Sequence, residues 1–151
     1  MGLFHIFKRK SKFVDDLFGE LGYTTFRDKS KNFYDGTISF DFQQCGINLD
    51  ADENGPTGEQ KEFYKELCVK YPVLKKDVII PFLNRELEGW SDKNPIITDF
   101  EKELELDGIS LPVIDGKPVH WSLTLYSSKI KHYVTIDFTE WQPQTGVQVD
   151  G

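Results

Sequence analysis

Residues 50–60, which read DADENGPTGEQ, separate two stretches of sequence that have different periodicities. Before them, Ile38 and Phe40 alternate with polar residues, and the alternation returns at Ile47 and Leu49. This pattern is typical of an antiparallel hairpin with one buried face. After them, apolar residues recur at helical spacing. The order predicts strands followed by helices.

The alternation in the first hairpin extends to Phe42, which we therefore expect on the buried face together with Ile38 and Phe40. The next two residues, Gln43 and Gln44, are then expected to turn the chain.

Residues 50–55 resemble the start of a calcium-binding EF-hand loop, because acidic residues, Asn and Gly occupy the expected positions. An EF-hand requires a helix on each side and a glutamate at the twelfth position, but a strand comes first here and Lys61 holds that position. Thr57 and Gln60 instead have the spacing of a capping box. We predict a strand-to-helix connection and no metal site.

Two helices are expected to follow this connection. Phe63, Leu67 and Tyr71 form one apolar stripe, and Pro72 is expected to end the first helix. A second apolar stripe continues to residue 87, with a kink or break expected near residues 76–80 because Pro81 lies inside it. The two helices are predicted to form a hairpin that packs on one face of the sheet.

The N-terminal and C-terminal regions complete the predicted fold. Residues 13–21 have helix-like apolar spacing, and residues 23–27 suit a first strand. In the C-terminal half, residues 103–107 alternate and meet Asp107-Gly108, a hairpin turn sequence. Further strands over residues 119–126, 131–138 and 146–149 predict an antiparallel β-meander. The fold class is therefore predicted to be α+β.

The composition limits the classes of function. The 151-residue chain has a formal net charge of -7, which argues against nucleic acid as a partner. Two cysteines without metal-ligand spacing favour a reducing, cytoplasmic location, and no apolar run is long enough to span a membrane. We find no catalytic motif or phosphate-binding glycine loop, so we expect neither an enzyme nor a cofactor. His120 and His132 are expected on paired strands, where they could be neighbours.

The first 13 residues carry four basic side chains and no acidic one. We expect them to form a leader, with residues 14–151 as a single domain. The leader can dock its apolar side chains on the domain. Alternatively, it can contact an anionic membrane surface, as a peripheral, membrane-associated housekeeping protein would. The candidate membrane-contact residues are Leu3, Phe4, Phe7, Lys8, Arg9 and Lys10.

Four carboxylates occur at every second position: Glu101, Glu103, Glu105 and Asp107. An extended chain places all of them on one face, where they can attract a basic protein, although lysines of this chain or a solvated strand edge also explain the pattern. Aromatic rings near the ends of loops can anchor such a partner. The candidate rings are Trp90, Tyr126, Tyr133 and Trp141.

Three segments of the chain resemble a family of small bacterial α+β domains of unknown function. They are residues 17–23 (LFGELGY), residues 33–40 (FYDGTISF) and residues 55–64 (GPTGEQKEFY). Some members of that family look like toxin-immunity proteins. The resemblance therefore implies a protein that neutralises a partner toxin by binding it, and it supplies no catalytic residue.

Overall fold

The computed structural model describes residues 9–90 and 97–151. Within these ranges, nine strands form one sheet. The strands are β1 (Arg9–Asp15), β2 (Gly19–Thr25), β3 (Phe33–Phe40), β4 (Gln43–Asp50), β5 (Leu104–Leu111), β6 (His120–Ser127), β7 (His132–Thr139), β8 (Gln142–Pro143) and β9 (Gln148–Asp150). The helical elements are a 3₁₀ turn (Lys29–Lys31), α1 (Gly58–Leu74), a π-helical segment (Lys75–Ile79), α2 (Ile80–Glu86) and α3 (Phe100–Glu103). The predicted α+β class is confirmed.

The strands β1 to β8 follow one another across the sheet in chain order, and β9 also pairs with β7. All neighbours are antiparallel except β4 and β5, which are parallel. The sheet thus consists of two antiparallel meanders joined by one parallel pair. The helical region makes the connection between them, as a parallel pair requires.

The predicted hairpin corresponds to β3 and β4, and Ile38 and Phe40 are buried as expected. The turn, however, is formed by Asp41 and Phe42, and Gln43 already belongs to β4. The prediction that Phe42 faces the core is wrong, because the strand ends two residues before it and its ring is exposed.

The helix-like apolar spacing of residues 13–21 does not correspond to a helical turn. This segment forms the hairpin β1–β2, in which Phe13 packs on Tyr34 while Val14 is exposed. The Asp15 carboxylate accepts hydrogen bonds from the backbone N–H groups of Leu17 and Phe18, which stabilises the turn. β1 begins at Arg9 and therefore crosses the expected boundary between leader and domain.

The predicted connection between β4 and α1 is confirmed. Thr57 caps α1, and the Thr57 and Gln60 side chains form both hydrogen bonds of a capping box. In the preceding loop, the Asp52 carboxylate accepts a hydrogen bond from the Asn54 N–H group. The backbone carbonyl of Asp52 accepts another from the Tyr34 hydroxyl. These groups of the EF-hand-like sequence therefore stabilise a turn.

The predicted helical hairpin is replaced by one continuous helix from Gly58 to Glu86. Pro72 lies inside α1 and does not end it. The irregularity expected before Pro81 is the π-helical segment, closed by a bond from Ile80 N–H to the Lys75 carbonyl. A wider turn accommodates a proline that has no N–H to donate, so the chain continues without reversing. That the helices lie on one face of the sheet stays a prediction.

The hairpin predicted at Asp107-Gly108 is wrong, because β5 runs through both residues. The pairing of β5 with β6 shifts between Leu106 and Gly108, so Asp107 is the extra residue of a β-bulge. Gly108 faces Gly46 in the parallel pair. A Cβ on Gly46 would lie 3.3 Å from the Asp107 carbonyl oxygen, so the two strands approach closely here.

One hydrophobic core contains buried side chains of the long helix and the inward side chains of both meanders. Aromatic contacts join the layers: Phe63 stacks on Trp141 with ring centroids 4.9 Å apart, and Tyr71 contacts Phe40 at 4.7 Å. On β6 and β7 the predicted inward residues are buried. They are Trp121, Leu123, Leu125, Val134, Ile136 and Phe138.

Candidate protein-binding surface

The outward side of the sheet, opposite the buried side chains, carries a strong charge bias from β3 to β7 and on β9. Alternation along these strands assigns six carboxylates to outward positions. They are Asp35, Asp50, Glu105, Asp107, Asp137 and Asp150. All are half-buried or exposed. No outward position of these described strands holds lysine or arginine. We call this surface the acidic face.

One row across the acidic face combines charge with aromatic rings. Glu105 pairs with Tyr126, Tyr126 with Tyr133, and Tyr133 with Asp150. The two tyrosine rings meet edge to face with centroids 5.2 Å apart, and Tyr133 is 43% exposed. Two rings flanked by carboxylates can contact an apolar patch that is surrounded by basic groups.

The predicted row of four carboxylates on one extended strand is wrong, because α3 contains its first half. Glu101 lies in this helical turn and forms an ion pair with Lys75. Glu103 is half-buried at the end of the turn and forms an ion pair with Lys129 at 2.9 Å. Both carboxylates are thus neutralised by lysines of this chain.

Glu103 also organises the chain before α3. Its carboxylate accepts hydrogen bonds from the backbone N–H groups of Thr98 and Asp99. Partial burial alone would raise the pKa of Glu103, but the bonds from Lys129, Thr98 and Asp99 outweigh it and lower the pKa to about 2. This carboxylate therefore has a structural role in its charged form.

Asp107 does lie on the acidic face, where the bulge directs it toward a hollow of about 300 Å³. The facing glycines Gly46 and Gly108 line this hollow, together with polar side chains that include Asp35. Asp35 is paired with the Lys10 ammonium at 3.1 Å. The outward surface is therefore recessed where the two meanders join.

The other two predicted aromatic residues, Trp90 and Trp141, lie outside the row that contains Tyr126 and Tyr133. Trp90 contacts the His132 ring at 5.2 Å, and Trp141 is half-buried against Phe63. His120 pairs with Thr139, whereas His132 pairs with Ser127 at the opposite end of the same hairpin. The expectation that the two histidines are neighbours is therefore wrong.

Sequence reasoning missed Asp35, Asp50, Asp137 and Asp150 as members of the acidic face. Asp137 lies between the buried residues Ile136 and Phe138, so the alternation of β7 could have identified it. Asp150 belongs to a three-residue strand, β9, whose sequence is too short to show a period.

Of the candidate membrane-contact residues, Leu3, Phe4, Phe7 and Lys8 lie outside the described residues. Arg9 and Lys10 belong to β1. The membrane hypothesis stays a prediction, and co-sedimentation of the full chain and a residue-9-onward variant with anionic vesicles tests it. A truncation at residue 14 would remove most of β1 and confuse loss of the leader with loss of a strand.

A second concave surface, of about 660 Å³, lies between α1 and the loop that connects β5 to β6. Phe63, Val69, Ile114 and Val119 supply its apolar lining. Two of its carboxylates, on Glu62 and Glu66, have lysine partners on α1. None of the predicted site residues lines this cleft.

The chain matches no model of a known protein family, no curated protein and no solved structure. The resemblance to small bacterial domains therefore stays a prediction.

In the described part of the chain, each helix falls short of the length and apolar character that crossing a bilayer requires.

Proposed function

We propose that this protein is a non-enzymatic binding protein that recognises a basic protein partner through the acidic face. The distribution of charge carries the proposal: six carboxylates and no lysine or arginine occupy the outward positions of the described strands β3 to β7 and β9. Such a surface accelerates encounter with a positively charged partner and disfavours acidic competitors. The Tyr126–Tyr133 pair supplies the aromatic contact area that binding hot spots commonly use.

The class of partner that we favour is a toxin, which this chain would neutralise as an immunity protein. The resemblance of residues 17–23, 33–40 and 55–64 to domains of this kind supports the choice. An acidic inhibitor can block a basic active surface by occupying it, so no catalytic group is needed in the inhibitor.

The test compares two variants of equal net charge. Glu105→Lys/Asp150→Lys reverses the two charges that flank the tyrosine pair, and Glu53→Lys/Glu88→Lys reverses two exposed charges that do not belong to the acidic face. Each immobilised protein is used to capture partners from the source organism's lysate at about 50 mM and about 500 mM salt, which differ severalfold in screening.

The expected result is one stoichiometric basic protein bound at low salt by wild type and by the Glu53/Glu88 control, weakened at high salt and lost from the Glu105/Asp150 variant. Expression of the captured protein alone should then arrest growth, and co-expression of wild type should restore it. Equal capture by both variants, or no stoichiometric partner, would contradict the proposal.

A further inference from the structure

The two-residue turn between β3 and β4 has an unusual sequence for its conformation. Both Asp41 and Phe42 have positive φ, 48° and 63° respectively. Two-residue hairpin turns of this type favour Gly, Asn or Asp, because a bulky side chain clashes with the backbone in the left-handed region. Asp41 suits the turn, whereas Phe42 is strained there.

The described part of the fold gains no packing from a phenyl ring at this position. The relative exposure of Phe42 is 104%, so its ring buries no apolar surface against the rest of the described chain. The hydrophobic contribution of a phenylalanine to stability depends on such burial. A strained backbone that presents an unpacked ring is the kind of local conflict found at functional sites.

The turn is held rigidly on both sides of Phe42. The Asp41 carboxylate lies 2.7 Å from the Lys75 ammonium, and both side chains are largely buried. The Gln43 amide oxygen accepts a hydrogen bond from Leu106 N–H on β5. An aromatic side chain on a rigid support loses little entropy when it binds a partner, which favours its use as an anchor.

The turn also adjoins one end of the acidic face. Gln43, the residue after Phe42, lines a hollow of about 290 Å³ together with Glu105 and Tyr126. A partner that covers the tyrosine row is therefore within reach of the turn.

We propose that Phe42 is an anchor residue that inserts into an apolar pocket of a protein partner, beside a basic surface that contacts the acidic face. The basic character of this partner rests on the function proposed above. The apolar pocket follows from Phe42 itself, because burial in the partner supplies the packing that the ring lacks against the described residues of this chain.

Site-specific photo-cross-linking in cells of the source organism tests the anchor directly. The photoreactive residue p-benzoylphenylalanine replaces Phe42, Tyr133 or Val69 in the full chain. Val69 is the control, since it is an exposed apolar residue on α1, away from the acidic face. The expected result is one adduct of the same mass from positions 42 and 133, containing a basic protein, and no such adduct from position 69.

An adduct from position 133 without one from position 42 would overturn the anchor and leave the acidic face as a binding surface. No adduct from either position would overturn both proposals. The two failures are therefore distinguishable.

A substitution separates binding from folding. Phe42→Asn suits the positive φ, so the variant should have a Tm equal to or above that of wild type. Its affinity for the cross-linked partner should fall at least about tenfold, as expected for loss of a hot-spot ring. Val69→Ala should leave the affinity unchanged. An unchanged affinity of Phe42→Asn would overturn the anchor.

Discussion

The Lys75 ammonium lies 2.7 Å from the Asp41 carboxylate, although 34 residues separate them in sequence. Lys75 belongs to the π-helical segment, Asp41 to the turn between β3 and β4, and the same ammonium also pairs with Glu101 of α3. One largely buried cation therefore joins three separate elements beside Phe42. Partial burial alone would lower the pKa of Lys75, but its bonds to Asp41 and Glu101 outweigh this effect and raise the pKa.

Replacing this cation should destabilise the protein. We expect Lys75→Met to lower the free energy of unfolding by about 1–3 kcal/mol, because it leaves the Asp41 carboxylate largely buried without its partner. Lys76→Met is the matched control, since Lys76 is exposed on the same segment, and it should change stability by less than about 0.5 kcal/mol. Urea denaturation measures both. Equal effects of the two variants would contradict a stabilising role of the Lys75 ion pairs.

Glu103 should make stability sensitive to acid. Its pKa in the folded protein is about 2, below the ordinary value of 4.5. The stabilisation is therefore present above pH 4.5 and is lost as the pH falls toward about 2. Over this pH interval we expect the free energy of unfolding of wild type to fall by about 1–3 kcal/mol more than that of Glu103→Gln, because the amide of the variant is not protonated in this range. Denaturation at a series of pH values compares the two proteins, and parallel pH profiles would contradict the prediction.

Gln60 links the start of α1 to the sheet. It is 0% exposed, and its amide nitrogen donates to the backbone carbonyls of Asp50 and Pro112, each at 2.9 Å. Gln60→Ala should lower the free energy of unfolding by about 2–4 kcal/mol, because it removes the capping-box acceptor and leaves the two backbone carbonyls without their hydrogen-bond donor. Gln44→Ala, at an exposed position of β4, should be nearly neutral. A loss below about 0.5 kcal/mol in thermal or urea unfolding of Gln60→Ala would contradict this role.

The close approach of β4 and β5 gives a matched pair of glycine substitutions. Gly46→Ala should lower the free energy of unfolding by about 1 kcal/mol, because the added Cβ would lie 3.3 Å from the Asp107 backbone carbonyl oxygen, which cannot easily move. Gly58→Ala should be neutral or stabilising, because a Cβ there meets nothing within 4 Å and alanine favours the first turn of α1. Calorimetry of the two variants provides the measurement, and equal Tm values would contradict the expected difference.

Local sequence patterns predicted the parts of the fold that local chemistry decides. A capping box such as that of Thr57 and Gln60 specifies the start of a helix, and the predicted start of α1 is correct. The alternation around Ile136 and Leu123 likewise identified the buried sides of β7 and β6.

The errors occurred where one sequence suits several structures. Asp107-Gly108 fits a hairpin turn or a bulge, and pairing of β5 with a strand distant in sequence decides between them. The apolar spacing of residues 13–21 fits a helix, but the Asp15 side chain forms a turn. Phe42 could not be placed because its own residue type opposes the turn that it occupies.

The same limits apply to the candidate binding surface. The sequence predicted carboxylates along one strand and rings near the ends of loops, whereas the acidic face is assembled across several strands. Glu105, Tyr126, Tyr133 and Asp150 become neighbours only through the register of four strands. Register depends on long-range packing, which a single local pattern does not contain.

The parallel pairing of β4 with β5 has a consequence for biosynthesis. Each meander pairs strands that follow one another in sequence, so its contacts can form early. β4, in contrast, must wait until the whole helical region and β5 have been translated. During that interval it is the open edge of a four-stranded sheet, which another nascent chain can extend. We therefore expect co-translational aggregation of this protein to begin at β4, at the seam between the two halves.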